Sequence, residues 1–242
     1  ICKNLKIWNP TIKIDFVANN QTLDVLKNNP YIDNIIVFKD TYKNDKFGLI
    51  KFIKSFQNKR YAYVIDAYGK LESMLITIFT PAKTKIGYSK FYTDWIYNKS
   101  IKRIKSSNQK LQLSILHRLQ LLEPILGDKI STTDFEIHLT QNEEKEIAKK
   151  FDLTLEGNKN PIMIIAMGSG KNKTYPIEYL ALLIEIAFET TNAPMILNYM
   201  PNQKMEINRL IKMLKPKTKK AIQSSLTPNS LRDYIVTVSQ CQ

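Results

Sequence analysis

Two α/β domains built on parallel sheets are predicted by three features of the sequence. Short β-type segments alternate with helical ones from Ile12 to Phe79, a second round of alternation opens at Ile162, and a polar stretch, Leu153 to Asn160 with Gly157, separates the two. A chain of 242 residues, 43% of them hydrophobic, is long enough for two modest cores. The reading is therefore a first domain over 1–152, a hinge over 153–160 and a second domain over 161–242.

Ile1 to Trp8 reads as a helix end, with Leu5 and Trp8 on one face and Asn9-Pro10 as the stop. Ile12, Ile14 and Phe16 alternate with polar residues as a strand, and Gln21 to Asn28 forms a short helix before Pro30. A strand follows at Asn34 to Phe38, then a helix from about Phe47 to Phe56 that turns Leu49, Ile50, Ile53 and Phe56 inward. Tyr61 to Ala67 is a third strand, Leu71 to Phe79 the next helix, and Lys83 to Tyr88 a short strand ending in glycine and an aromatic. Lys99 to Lys110 is strongly basic with no aromatic residue in it, which predicts a solvated loop, with contact to an anionic glycolipid as the alternative.

Leu113 to Leu126 forms an amphipathic helix stopped by Gly127. Phe135, Ile137 and Leu139 alternate as a strand, and Thr140 with Glu143 makes a capping box for a helix running through Phe151. In the second domain, Ile162 to Ala166 is an apolar run suited to a strand buried on both faces. Pro176 suits the first turn of the helix that carries Leu180, Leu183, Ile184 and Ala187, with Thr174 or Tyr175 as its cap. Pro194 to Tyr199 is a strand, Glu206 stands at the start of a further helix, Ala221 to Ser225 is a strand, and a last helix begins after Thr227-Pro228.

The chemistry is concentrated between the Ile162 strand and its helix, in Met167-Gly168-Ser169-Gly170-Lys171-Asn172-Lys173. Two glycines let backbone amides turn toward a guest, the helix start adds partial positive charge, and the lysines match it in sign. A phosphate is the natural ligand, and an ordinary strand-to-helix turn with solvated lysines is the competing reading. Two well-known phosphate loops do not fit. A Walker A loop requires glycine where Ile165 stands and Ser or Thr where Asn172 stands, and the dinucleotide fingerprint requires a third glycine where Lys173 stands.

Lys173, Tyr175, Pro176, Glu178 and Tyr179 nevertheless form a Lys-x-aromatic-Pro-x-Glu-Tyr series that resembles the Lys-x-Trp-Pro-x-Glu motif of the ADP-heptose:lipopolysaccharide heptosyltransferase family, with Tyr175 for the usual Trp. Asp66, Gly69 and Ser73 likewise resemble that family's Asp-x-Gln-Gly-x-x-Lys/Arg-Ser segment, with Tyr68 for Gln and Glu72 for the base. The resemblance implies two Rossmann-like domains of GT-B type, both incomplete in this chain. It implies donor contacts from Gly168, Ser169, Gly170, Lys173, Glu206 on the ribose and Leu226 near the adenine. It also implies acceptor-side contacts from Asp66, Tyr68, Gly69, Lys70 and Ser73. For Asp66 and Gly69 the alternatives are a helix cap and a turn, and for Glu206 an acidic first-turn residue.

The totals narrow the partners. Net charge +14 invites an anionic one, although scattered lysines also arise without a ligand. Cys2 and Cys241 lie at opposite ends and His117 and His138 are isolated, so no disulfide framework, metal site or Cys/His nucleophile is drawn, and no cofactor. No apolar run reaches membrane-span length, which leads to an expected cytoplasmic location, at the inner face of the inner membrane if the acceptor is a lipid. The resemblance implies a nucleotide-diphosphate sugar donor of ADP-heptose type and an anionic glycolipid acceptor met by peripheral membrane contact, not nucleic acid. It places the general base upstream of Ile1, so no catalytic residue is assigned and this stretch alone is expected not to turn over. A non-catalytic nucleotide- or polyanion-binding protein is the alternative.

Overall fold

The computed structural model describes residues 1–106, 111–155, 161–168 and 173–241. They form two compact units, Ile1–Leu23 with Asn29–Glu136, and Ile137–Gln242 with Asp24–Asn28.

In the first unit, α1 (Cys2–Trp8) ends where Asn9 turns extended and donates its N–H to Leu5. β1 (Asp15–Asn19) pairs in parallel with β2 (Asn34–Phe38), Asp15 opposite Asn34 and Asn19 opposite Phe38. The link between them carries a 3-10 turn and α2 (Leu23–Leu26). α3 (Lys46–Lys54) starts at Asp45, whose carboxylate accepts the Gly48 N–H at 2.8 Å. Its buried face is Phe52 and Ile53, followed by Phe56, and the rings of Phe38, Phe52 and Phe56 meet edge to face. Ile50, expected inward, is half exposed, because the stripe runs through Leu49, Phe52, Ile53 and Phe56 and leaves position 50 about a quarter turn away.

β3 (Tyr61–Asp66), α4 (Leu71–Phe79) and β4 (Ala82–Tyr88) follow as expected. The basic stretch departs from expectation at its start, since Lys99–Ile101 is a third parallel strand, β5, beside β4. Its apolar content is small, but the open edge of β4 supplies ladder partners that a loop could not. The β1–β2 and β3–β4–β5 ladders are separate sheets, tied by Asp15, which accepts from Lys59 Nζ at 2.7 Å and from the Tyr61 hydroxyl at 2.6 Å. The expected helix over 113–126 is two, α5 (Leu113–Gln120) and α6 (Glu123–Leu126), with Pro124 in the first turn of the second. Leu119, Leu121, Leu122 and Leu126 fill the core beneath them. No strand forms at Phe135 to Leu139. Phe135 is 83% exposed, and alternation without a neighbouring strand yields only extended chain.

In the second unit, α7 (Gln141–Leu155) begins with the expected capping box, in which Glu143 N–H donates to Thr140 Oγ1 and Thr140 N–H to Glu143 Oε2. β6 (Ile162–Ile165) pairs in parallel with β7 (Met195–Asn198), joined by α8 (Ile177–Thr191). Pro176 stands at the N-cap of α8, one position earlier than expected, so neither Thr174 nor Tyr175 is the N-cap, and the Pro176 ring has no acceptor with which to cap the helix itself. α9 (Lys204–Met213), α10 (Pro216–Ala221) and α11 (Leu231–Val238) complete the unit. The strand expected at Ala221 to Ser225 shrinks to a single bridge, Met195 to Ile222, since 216–221 coils as α10 and 224–226 as a 3-10 turn.

β7 shows why this small sheet is stable. Met195 and Leu197 face Leu180, Ile184, Ile207 and Leu210 of α8 and α9, while Ile196 faces Ile147, Phe151, Leu226 and Val236. Both faces of β7 are covered, and each fully buried side chain of this kind contributes about 1.5–3 kcal/mol, whereas β6, expected to be buried on both faces, is only half-buried and leaves Ile165 64% exposed. The second core includes α7, and the compact units divide at Glu136/Ile137; of the hinge expected over 153–160, residues 153–155 continue α7 and 156–160 lie outside the described residues.

Arg232 ties this unit together. Its guanidinium makes two bonds to Glu143, at 2.8 and 2.7 Å, and donates to the His138 and Asp24 carbonyls, which fastens α11 to the start of α7 and to residues 24–28.

Candidate functional site

In the first unit, the expected acceptor-side residues form one turn at the carboxyl end of β3. Asp66 is buried, and its two oxygens accept four hydrogen bonds. Oδ1 accepts the Tyr68 and Gly69 N–H groups at 3.0 and 2.8 Å, and Oδ2 lies 3.0 Å from the Ser73 hydroxyl and 2.7 Å from that of Tyr97. A carboxylate has about four lone-pair sites, so all of Asp66 is used within the fold. Ser73 Oγ also accepts the Lys70 N–H at 3.1 Å, closing the first turn of α4. Asp66 and Ser73 are thus held internally, which favours the cap reading of Asp66.

Gly69 sits at φ 63, and its carbonyl accepts Lys90 Nζ at 2.7 Å. Outward from the turn stand Tyr68, 57% exposed, and Lys70, whose Nζ lies 4.8 Å from the Tyr68 ring centroid. Tyr68 raises the Lys70 pKa above its ordinary value. Tyr97 reaches Asp66 only because position 87 has no side chain, a Cβ there falling 2.4 Å from Tyr97 Cζ. Burial, and then the Asp66 carboxylate, push the Tyr97 hydroxyl well above the usual phenol range, so it stays a donor.

In the second unit, the expected donor residues scatter. Gly168 follows β6, and a Cβ on it would lie 2.1 Å from the Lys173 carbonyl oxygen, so only glycine admits this close approach. The Gly168 carbonyl accepts Gln203 Nε2 at 3.1 Å, which connects the corner to the 3-10 turn leading into α9. Lys173 and Tyr175 are exposed beside the start of α8, and Glu206 is exposed in the first turn of α9. Ser169 and Gly170 lie outside the described residues. Leu226 is buried. Its side chain is 1% exposed and packs with Ile147, Phe151, Ile196 and Val236, because the 3-10 turn points it into the core.

A family model for glycosyltransferase family 9 (heptosyltransferase) matches residues 49–228, about three quarters of the chain. The chain belongs to that family. Solved structures agree in fold across 99% of it. The glycosyl transferase family 9 protein of Veillonella parvula DSM 2008 superposes with TM-score 0.76 at 16% identity, and this chain covers 68% of its length. E. coli ADP-heptose lps heptosyltransferase II gives 0.71 at 15%, with 71% covered. E. coli heptosyltransferase WaaC with ADP-2-deoxy-2-fluoro heptose gives 0.70 at 16%, with 74% covered. No sequence among curated proteins matches the chain.

The family-9 chain is thus a glycosyltransferase of GT-B fold by membership and architecture. The matched stretch contains both turns, from Asp66 to Glu206. Sequence reasoning missed three braces of these turns: Tyr97 on Asp66 and Lys90 on Gly69 in the first unit, and Gln203 on Gly168 in the second. Only Gly87, a glycine inside a strand, hinted that another group approaches closely there. Among the described residues no helix is long and apolar enough to cross a membrane.

Proposed function

We propose that this family-9 chain takes part in moving a heptose or related sugar from a nucleoside-diphosphate donor of ADP-heptose type to an anionic glycan of the lipopolysaccharide-core class. The carrying observation is the Gly168 corner, where a strand end, a glycine in contact with Lys173 and the start of α8 meet inside the family-matched stretch. Two of the similar structures, the E. coli ADP-heptose lps heptosyltransferase II and the E. coli heptosyltransferase with ADP-2-deoxy-2-fluoro heptose, support the choice of donor.

In this reading the donor diphosphate lies against the corner. Lys173 and the first amides of α8 face it, Ser169 and Gly170 join by sequence position, and Glu206 accepts hydrogen bonds from ribose hydroxyls. The acceptor hydroxyl forms the new bond to the anomeric carbon as the bond to the diphosphate breaks. The electron pair leaves with the diphosphate, where the lysine and the helix start offset the growing charge. The hydroxyl proton passes to a base that we assign to no residue of this chain. On the acceptor side, Tyr68 and Lys70 are the groups turned outward, with Asp66, Gly69 and Ser73 shaping the turn that carries them. The acceptor lipid would hold the protein at the inner face of the inner membrane, on its cytoplasmic side.

Calorimetric titration with ADP, an ADP-sugar and GDP tests the reading. ADP binding that falls about tenfold in Lys173→Ala supports it. Absence of ADP binding, or affinity that ignores Lys173, overturns it.

A further inference from the structure

The carboxyl end of the β3–β4–β5 sheet carries a surface that donor chemistry does not use. After β4 comes Ser89-Lys90-Phe91-Tyr92-Thr93-Asp94-Trp95-Ile96, and the burial of its side chains is sharply divided. Thr93 and Ile96 are inside, and the Thr93 hydroxyl bonds within the turn to the Lys90 N–H at 3.1 Å and the Tyr88 carbonyl at 3.2 Å. Phe91, Tyr92 and Trp95 are 98%, 53% and 75% exposed. The turn is thus built to present three neighbouring aromatic side chains to the outside.

Cations surround them. Lys90 bridges this turn to the Gly69 carbonyl, placing Tyr68 and Lys70 beside it. Because the strands run parallel, Lys102, Arg103 and Lys105, all exposed after β5, belong to the same rim, with Arg103 stacked 3.9 Å from the Tyr88 ring centroid. The acidic residues in these segments are Glu72 and Asp94, and Asp94 lies 3.3 Å from the Ser89 hydroxyl.

Aromatic side chains ringed by lysine and arginine match the boundary between lipid headgroups and acyl chains. Trp and Tyr rest there with one apolar and one wet end, while cations lie against phosphates. Phe91 and Tyr92 meet edge to face at 82°, a wedge rather than the parallel platforms on which nucleic-acid bases stack. We propose that this rim is a membrane-docking surface, in which Phe91, Tyr92 and Trp95 enter an anionic bilayer and Lys70, Lys102, Arg103 and Lys105 meet its headgroups. The inference rests on the lipid-linked-acceptor reading for its place in the reaction, and on this surface alone for its geometry.

The test uses the chain with vesicles that contain no glycolipid, phosphatidylcholine alone or mixed with phosphatidylglycerol. The chain is expected to float with the anionic vesicles and not with the neutral ones. Phe91→Ser with Trp95→Ser should lower that partition about tenfold, with the melting temperature and ADP titration of the wild type. Lys102→Glu with Arg103→Glu, which leaves the aromatic turn whole, should lower it as well, and added salt should then matter less. The chain has two tryptophans, Trp8 and Trp95, so in Trp8→Phe all indole emission comes from Trp95 and should shift blue on anionic vesicles. The proposal is overturned if the chain ignores anionic vesicles, if the aromatic variant floats like wild type, or if binding appears only with glycolipid or with oligonucleotides. None of these outcomes depends on ADP binding, whose loss would strike the donor reading alone.

Discussion

The turn after β3 and the corner after β6 stand at equivalent places, each at the carboxyl end of a parallel strand ahead of a helix, yet they are built in opposite ways. Asp66 draws two amides and two hydroxyls onto one buried carboxylate and leaves it nothing to offer a ligand. At the second corner, Gly168 is pinned by its contact with Lys173 and by Gln203, while Lys173 and Tyr175 are exposed ahead of α8. A saturated acidic turn is architecture that carries outward residues, whereas a glycine corner with exposed cations is suited to an anion. Family resemblance alone would treat both motifs as contacts.

The sharpest way to break this contrast is Asp66→Ala. Stranding several buried donors should cost the first unit about 3 kcal/mol in denaturant unfolding while ADP affinity stays unchanged. A variant of native stability would show that the turn does not lean on the carboxylate. Gly168→Ala should act in reverse. Its Cβ cannot coexist with the Lys173 carbonyl, so the corner must shift, and calorimetry should read a loss of ADP affinity of more than about tenfold. Lys173→Ala keeps the backbone and removes one charge, so the loss should be near 1.4 kcal/mol with no change in melting temperature.

Acid acts on both units, each through its own ion pair. Arg232 holds the Glu143 carboxyl down at about 2, against an ordinary 4.5. The folded state therefore favours the ionised form. The stability that this adds is fully present above pH 4.5 and drains away as pH falls toward 2. In the first unit Lys6 holds Asp33 down to about 2 in the same way. Glu143→Gln should flatten the acid limb of stability for the second unit only, read by hydrogen exchange at α7 and α11; an unchanged limb there would remove the role given to the Arg232 bonds. The smallest effect belongs to Lys70→Ala, whose charge is fully exposed. The melting temperature should stay that of the wild type, and the functional loss should appear in acceptor KM and not in donor affinity.

Much of the fold was legible. Asn34 to Phe38 and Leu71 to Phe79 were readable to the residue, and Thr140 with Glu143 makes the capping box its spacing predicts. Phe135 to Leu139 and Ala221 to Ser225 misled, because alternation reports a residue's two faces and says nothing about whether another strand lies alongside. Lys99 to Ile101 misled in the other direction, a basic segment made a strand by the edge it met. Within the site, both glycine-bearing turns could be found from local pattern. Their braces could not, since Tyr97, Lys90 and Gln203 come from 31, 21 and 35 residues away.

Local order was therefore the sequence's own work: which segments coil or extend, where two turns interrupt them, and the lysine and aromatic series that ties the chain to family 9. Only the tertiary structure decided that Asp66 is spent on its own turn, that Leu226 belongs to a core, and that Phe91, Tyr92 and Trp95 point outward beside a rim of cations. The physical reason is that spacing along a chain encodes a residue's preferred backbone and face. Whether a polar group is already satisfied, or an apolar one already covered, depends on neighbours that only packing brings within reach.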